Sequence, residues 1–169
     1  MPLPDISATL RSFQASFERG EIQLRPGQLD KEIFVFLDHP NGEARLTYVR
    51  LSQGLVVALV QFIRAEPVEG EACFAVAWAV PPGHRGQGLA GKTFLAALAE
   101  LRHGLAAHGA LSFWVEGVVG AENLASQRVA ERVISAPASK GVDRDARVPV
   151  VQYLRKIDAQ SVLSEVGRG

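Results

Sequence analysis

Chemistry in this chain is most legible in one short stretch, Arg85-Gly86-Gln87-Gly88-Leu89-Ala90-Gly91-Lys92, where glycines lie between two cations. It follows an apolar run, Cys73 to Val80, that is closed by Pro81, Pro82 and Gly83. It precedes Phe94, Leu98, Leu101 and Leu105, spaced as one face of a helix. The stretch therefore carries the chain from a buried strand into a helix N-terminus. The first N–H groups of a helix lack partners and carry partial positive charge, so a glycine-rich approach admits an anion there. Gly86, Gly88 and Gly91 clear the space, Arg85 and Lys92 add charge, and the combination suits a phosphate or diphosphate. The plainer alternative is a glycine-rich connection into a capped helix with no ligand.

Two phosphate-binding patterns fit the same residues. Gly86 to Thr93 satisfies the nucleotide P-loop spacing, a glycine, four residues, then Gly-Lys-Thr. Arg85-x-x-Gly88-x-Ala90 satisfies the diphosphate pattern of the GNAT superfamily of N-acetyltransferases, and the sequence from Val80 to Ala90 resembles that family's loop throughout. Pro81 to Arg85 separate the strand from Gly86, whereas a P-loop strand normally runs into its first glycine. A second stretch, Asn123-x-x-Ser126-x-x-Val129-Ala130-Glu131, is similar to the start of the second conserved GNAT helix, most like the branch containing ribosomal-protein N-terminal acetyltransferases. The resemblance covers Leu55 to Ile157. It departs from the common pattern at Ala130, where a tyrosine is frequent, and in lacking a Gly-Phe at the end of that helix.

The elements that must position these residues can be read in order. Asp5 is an N-cap for a helix carrying Ile6, Leu10, Phe13 and Phe17, which stops at Gly20. A loop follows with a short extended piece at Ile22 to Leu24. Four strand-like runs come next, Ile33 to Leu37, Arg45 to Leu51, Leu55 to Arg64 and Glu71 to Val80. They are joined by turns at Asn41-Gly42, Ser52 to Gly54 and Glu66 to Gly70. Short turns make an antiparallel meander, while a nucleotide P-loop fold needs a parallel sheet with long crossovers. After the helix, closed by Gly109, a strand at Leu111 to Val119 completes a right-handed strand–helix–strand unit. A polar loop, Ser135 to Ala146, leads to a last strand at Arg147 to Ile157, and Asp158 to Gly169 reads as a frayed tail. The expected fold is α+β, layered: a mixed, mainly antiparallel central sheet with a βαβ unit at the glycine-rich loop, acyl-CoA N-acyltransferase-like. One domain over residues 1–169 is expected.

The resemblance implies acetyl-CoA as cosubstrate. Backbone N–H groups near Ala79 and Val80 would face the thioester carbonyl. The diphosphate would lie on Arg85, Gly86, Gln87, Gly88, Leu89, Ala90, Gly91 and Lys92, with Asn123 and Ser126 along the arm. Transfer to an amine also needs a base and a proton for the leaving thiolate. Glu116 interrupts an apolar strand in step with Ser112, Trp114 and Val118, so it is a candidate base or a site for a cationic amine, or else a carboxylate reaching solvent or an arginine. Glu71, at a strand start, is a weaker candidate. For the acid, Ser126 competes with an ordinary helix-capping role and Tyr153 with that of a core tyrosine. His103 and His108, five apart on a helix, do not share a face, and no metal site is expected. The acceptor is an amine, either a small molecule or a protein N-terminus or lysine. Glu69, Glu71, Glu116, Asp143 and Asp145 suit a cationic one.

Composition narrows the partners. Charge is balanced, 18 basic against 18 acidic residues, so there is no global field to attract nucleic acid or a membrane surface. A lone cysteine, Cys73, excludes an intramolecular disulfide and reads as a buried small hydrophobe. No signal-like N-terminus or spanning apolar stretch is present in the sequence, which leads to a cytoplasmic protein as the expectation. Because relatives often dimerise, a homodimer is compatible. The leading expectation is an acetyl-CoA-dependent N-acetyltransferase working by direct attack in a ternary complex. The alternatives are a non-catalytic acyl-CoA-binding or sensing module and a P-loop nucleotide-binding protein.

Overall fold

The structure, a computed structural model, describes residues 5–136, 139–142 and 148–160. Asp5 caps helix α1 (Ile6–Glu18) by accepting the Ala8 N–H at 3.1 Å, and Gly20, at φ 72°, lets the chain leave it. There follow β1 (Arg25–Pro26), β2 (Ile33–Asp38), β3 (Arg45–Ser52), β4 (Leu55–Val68) and β5 (Glu71–Ala79). Next come α2 (Leu89–Ala107), β6 (Ser112–Gly120), α3 (Leu124–Val133), β7 (Ser139–Val142) and β8 (Pro149–Asp158). The strands form one sheet in the order β1-β2-β3-β4-β5-β6-β8-β7. Every neighbouring pair is antiparallel except β5 with β6, which α2 connects. The mixed, mainly antiparallel sheet with its βαβ unit at the glycine-rich loop is as the run-and-turn pattern requires.

Four local details differ from the sequence reading. The extended piece before β2 lies at Arg25–Pro26 rather than Ile22 to Leu24, because there it pairs with Phe34 and Val35. β4 runs on to Val68, and Glu69 and Gly70, both at positive φ, make the turn alone. Pro67 is tolerated because the register shifts between Ala65 and Val68, so its missing N–H costs no ladder bond. The Asn41-Gly42 signal lies in a 3-10 turn, Pro40–Gly42, instead of a two-residue hairpin loop. Within the polar loop expected at Ser135 to Ala146, β7 adds an edge strand. Residues 137–138 and 143–147, with Asp143 and Asp145, lie outside the described residues, as does the tail 161–169.

The helices cover both faces of the sheet. Phe94, Ala97, Leu98 and Leu101 of α2 and Ala130 and Val133 of α3 pack on Phe74, Val76, Trp78, Phe113, Val115 and Tyr153. Leu10 and Phe13 of α1 pack on Val49, Leu59 and Ala79 on the opposite face. Trp78 and Ala79 are consecutive on β5 and so point to the two different cores. Phe62, Phe94 and Phe113 are fully buried, each contributing about 2–3 kcal/mol from the area they remove from water. Gln14 fastens α1, its Oε1 accepting the Val56 N–H at 2.7 Å.

Candidate active site

The two parallel strands part company before they end. Their ladder runs from Cys73 opposite Trp114 to Val76 opposite Gly117 and stops. Beyond it Ala77 to Ala79 pair with β4 alone, and Val118 to Gly120 with β8 alone. At the ladder's last rung Trp78 and Ile134 fill the space over Gly117: the indole atoms Cζ3 and Cη2 stand 3.7 Å from where a Cβ on Gly117 would be and Ile134 Cδ1 would be 2.8 Å away, so the position takes a glycine.

A cleft of about 440 Å³ opens at the divergence. Trp78, Ala79 and Val80 line it from β5, Asn123, Ala125 and Ser126 from α3, and Ile6 and Ser7 from α1. Residues from helices on both sides of the sheet therefore meet in one opening. At its rim the glycine-rich turn is strongly shaped. Gly86 and Gly88 take left-handed conformations, φ 77° and 75°, that L side chains resist. Gly88 is the N-cap of α2 and offers no side chain to the first N–H groups of the helix, which are left for a ligand or water. Arg85 braces the turn by donating from Nε to the Val80 carbonyl at 2.9 Å.

Electrostatics in the cleft are one-sided. Arg85, Arg128 and Arg132 line it, and among the described residues no carboxylate does. Arg128 and Arg132 escaped the sequence reading, which treated α3 as a carrier of Asn123 and Ser126. Ala125, Arg128, Val129 and Arg132 recur at three, four and seven residues, the spacing of one helix face, and that pattern could have found them. Trp78, Ile6 and Ser7 could not be found so, because only the docking of α1 and the parting of β5 and β6 bring them together.

Of the sequence candidates, Ala79, Val80, Arg85, Gly86, Gly88, Leu89, Ala90, Gly91, Asn123 and Ser126 converge on this cleft. Gln87 and Lys92 are exposed and lie outside its lining. Asn123 is the N-cap of α3, its Oδ1 accepting the Ser126 N–H at 3.1 Å. Glu116 stands on the α1 face of the sheet, outside the cleft lining, where its carboxylate accepts the Gln152 Nε2–H at 3.0 Å. Beside it Cys73 is wholly buried, and burial, then the Glu116 charge, pushes its thiol up to about 11. Tyr153 is 0% exposed, faces the helices α2 and α3, and its hydroxyl has no hydrogen-bond partner among the described residues. Burial, then the Glu131 charge, raises its pKa. Glu71 lies at the far end of β5, bonded to Lys156 at 2.7 Å and to the Ser112 hydroxyl, and these partners hold its carboxyl below the usual range.

Thr93 bears on the P-loop pattern. In a nucleotide P-loop this hydroxyl would face a magnesium ion. Here it is fully buried inside α2 and accepts the Arg50 Nε–H at 3.1 Å. Among the described residues no group of three or more histidine, cysteine or acidic side chains gathers as a metal site, and no helix is long and apolar enough to cross a membrane.

No family model matches the chain, and no curated protein matches it. Among solved structures it is similar to an acetyl transferase from Salmonella typhimurium, described as modifying the N-terminal serine of a 50S ribosomal subunit protein, with a TM-score of 0.51 and 21% identity over 71% of this chain and 67% of that one. It is also similar to a spermidine N-acetyltransferase chimera from Vibrio cholerae and hSSAT, at TM-score 0.50 and 20% identity over 75% of each chain. A chain from Bordetella pertussis described as a GNAT-family acetyltransferase aligns at TM-score 0.46 and 22% identity over 67% of this chain and 65% of that one, a little under two thirds of its length. The likeness is one of fold, and it agrees with the parted parallel strands and the glycine-rich turn: this chain has the acyl-CoA N-acyltransferase fold of the GNAT acetyltransferases.

Proposed function

We propose that this protein is an acetyl-CoA-dependent N-acetyltransferase in which an acceptor amine attacks the thioester directly within a ternary complex. The observation that carries the reading is the end of the β5–β6 ladder at Val76 and Gly117 over a cleft lined by arginines and glycines. An acyl-CoA combines a polyanionic end with a narrow, uncharged arm. The turn Arg85 to Gly91 suits the diphosphate, and the gap between the strands suits the arm, whose amides can bond backbone groups that the parting leaves unpaired. Backbone N–H groups at Ala79 and Val80 are the candidates for stabilising charge on the thioester carbonyl. Ser126, in the cleft lining, is the candidate to protonate the departing thiolate. Glu116 is one residue from Gly117 on the α1 face, so an acceptor arriving from that face would meet its carboxylate as it reaches the gap.

Two of the similar structures are described as acting on amines, a protein N-terminus in one and spermidine in the other, and the acceptor class proposed here is likewise a primary amine. One observation favours the non-catalytic acyl-CoA-binding reading instead: among the described residues no carboxylate lines the cleft. Calorimetry and thermal shift with acetyl-CoA and magnesium-ATP on one preparation test the binding step. A ligand at a hundred times its Kd adds about 2.7 kcal/mol of stability, visible in either method. Stabilisation by acetyl-CoA is expected, and stabilisation by magnesium-ATP alone would overturn the reading. A screen of amines for stimulated release of free thiol then separates enzyme from sensor. With the responding amine, Glu116→Gln and Ser126→Ala should lower kcat and spare acetyl-CoA affinity, and full rate in both would remove them from the mechanism.

A further inference from the structure

The cleft holds more positive charge than its glycine-rich turn needs. Arg85 and the N-terminus of α2 already answer a diphosphate. On the opposite wall, α3 turns Arg128 and Arg132 into the same lining four residues apart, where like charges repel. Among the described residues neither arginine makes a hydrogen bond or ion pair, and no carboxylate in the lining offsets them. Arg132 is also directed. A Cβ on Gly91 would stand 3.4 Å from its Nη1 and 3.9 Å from its Cδ, so the absent side chain leaves room for the guanidinium over the first turn of α2. Two arginines on one helix face in one cleft, one of them laid against a helix start, suit a compact dianion better than a diester.

A phosphomonoester supplies such a group, with a charge of about −1.5 to −2 at neutral pH. Coenzyme A carries one on its ribose in addition to its diphosphate. We infer that Arg128 and Arg132 form a second phosphate subsite that reads this ribose phosphomonoester and selects coenzyme A over 3′-dephospho-coenzyme A. The inference rests on the acyl-CoA reading of the cleft and adds specificity to it. The arm and diphosphate contacts are common to both ligands, so discrimination has to come from these side chains.

The test is titration calorimetry of the full chain with coenzyme A and with 3′-dephospho-coenzyme A, at low and at moderate salt. Charge-assisted bonds to one phosphate predict that the wild type prefers coenzyme A by about 10- to 100-fold, with the preference shrinking as salt rises. In Arg128→Gln/Arg132→Gln the affinity for coenzyme A should fall toward the wild-type affinity for the dephosphorylated form, removing the preference. Melting of the unliganded variant serves as the folding control. Equal wild-type affinities would overturn the inference and leave the acyl-CoA reading standing. So would a double variant that loses both ligands in equal measure, which would assign the arginines to the diphosphate. Binding of neither ligand would overturn both readings together.

Discussion

Glu100 allows the most direct calculation from structure to measurement. It lies on α2, is 8% exposed, and its carboxylate accepts three consecutive backbone N–H groups, those of Gln28 at 2.9 Å, Leu29 at 2.6 Å and Asp30 at 2.9 Å. The loop between β1 and β2 is thereby tied to the helix whose N-terminus shapes the cleft. Glu100→Ala strands three donors. A hydrogen bond to a charged group is worth about 1.5–3 kcal/mol net, but Gln28 and Leu29 are exposed and can turn to water, so each bond counts only as an ordinary one of about 1 kcal/mol and the three together are worth about 3 kcal/mol. For a chain of this size that corresponds to a fall in Tm of about 6–12 °C. Gly27→Ala should strike the same joint, since its Cβ would stand 2.3 Å from the Asp30 carbonyl oxygen and 2.8 Å from Glu100 Oε1. The two substitutions share a contact, so their effects should not add. Calorimetric melts of both single variants and the double variant decide it. A Glu100→Ala loss below about 1 kcal/mol, or strict additivity with Gly27→Ala, would show that water satisfies the loop as well as the carboxylate does, and the reasoning would fail.

Other expectations follow from single positions. Gly88→Ala forces a side chain into a left-handed conformation and should cost about 1–2 kcal/mol in a melt, with Gly88→Asn costing less; because nothing lies within 4 Å of the added Cβ, a loss of acetyl-CoA affinity in both variants would report ligand approach there. Cys73 has a thiol pushed up to about 11 from 9.0, so the folded state keeps a proton that the unfolded state releases in that interval. Its contribution is whole below pH 9 and declines as pH rises to 11, by at most about 2–3 kcal/mol, and Cys73→Ala should flatten that part of the stability–pH curve relative to wild type. Tyr153→Phe removes a buried hydroxyl without a partner among the described residues, and should leave stability unchanged or raise it by about 1 kcal/mol while sparing turnover. A tenfold drop in kcat in a folded Tyr153→Phe variant would place that hydroxyl in the chemistry.

Much of the architecture was written in local pattern. Runs of β-branched and aromatic residues joined by turns at Gly54 and Gly70 require an antiparallel meander, because a short turn cannot reach a parallel neighbour. The glycines at 86 and 88 are legible for a similar reason: the backbone conformation they adopt is one that most residues resist, so the residue type announces the geometry. Helix ends at Asp5 and Asn123 are announced by side chains that bond their own backbone.

Contacts between distant segments were not legible in this way. Nothing in the order of residues says that the β5–β6 ladder stops at Val76 and Gly117, because beyond that point β5 pairs only with β4 and β6 only with β8, and the second of those pairings joins segments far apart in the chain. Whether Thr93 faces a ligand or Arg50, 43 residues away, was likewise a matter of which helix face the core takes. Glu116 and Tyr153 are both on strands beside the opening, yet strand alternation and helix placement send one to the α1 face and seal the other beneath α2 and α3. The sequence by itself determined most of the elements, their turns and the left-handed glycines of the loop, since these follow from short-range sterics and hydrogen bonding. Tertiary structure decided which charges and side chains share the cleft, since that depends on how separate helices pack across one sheet.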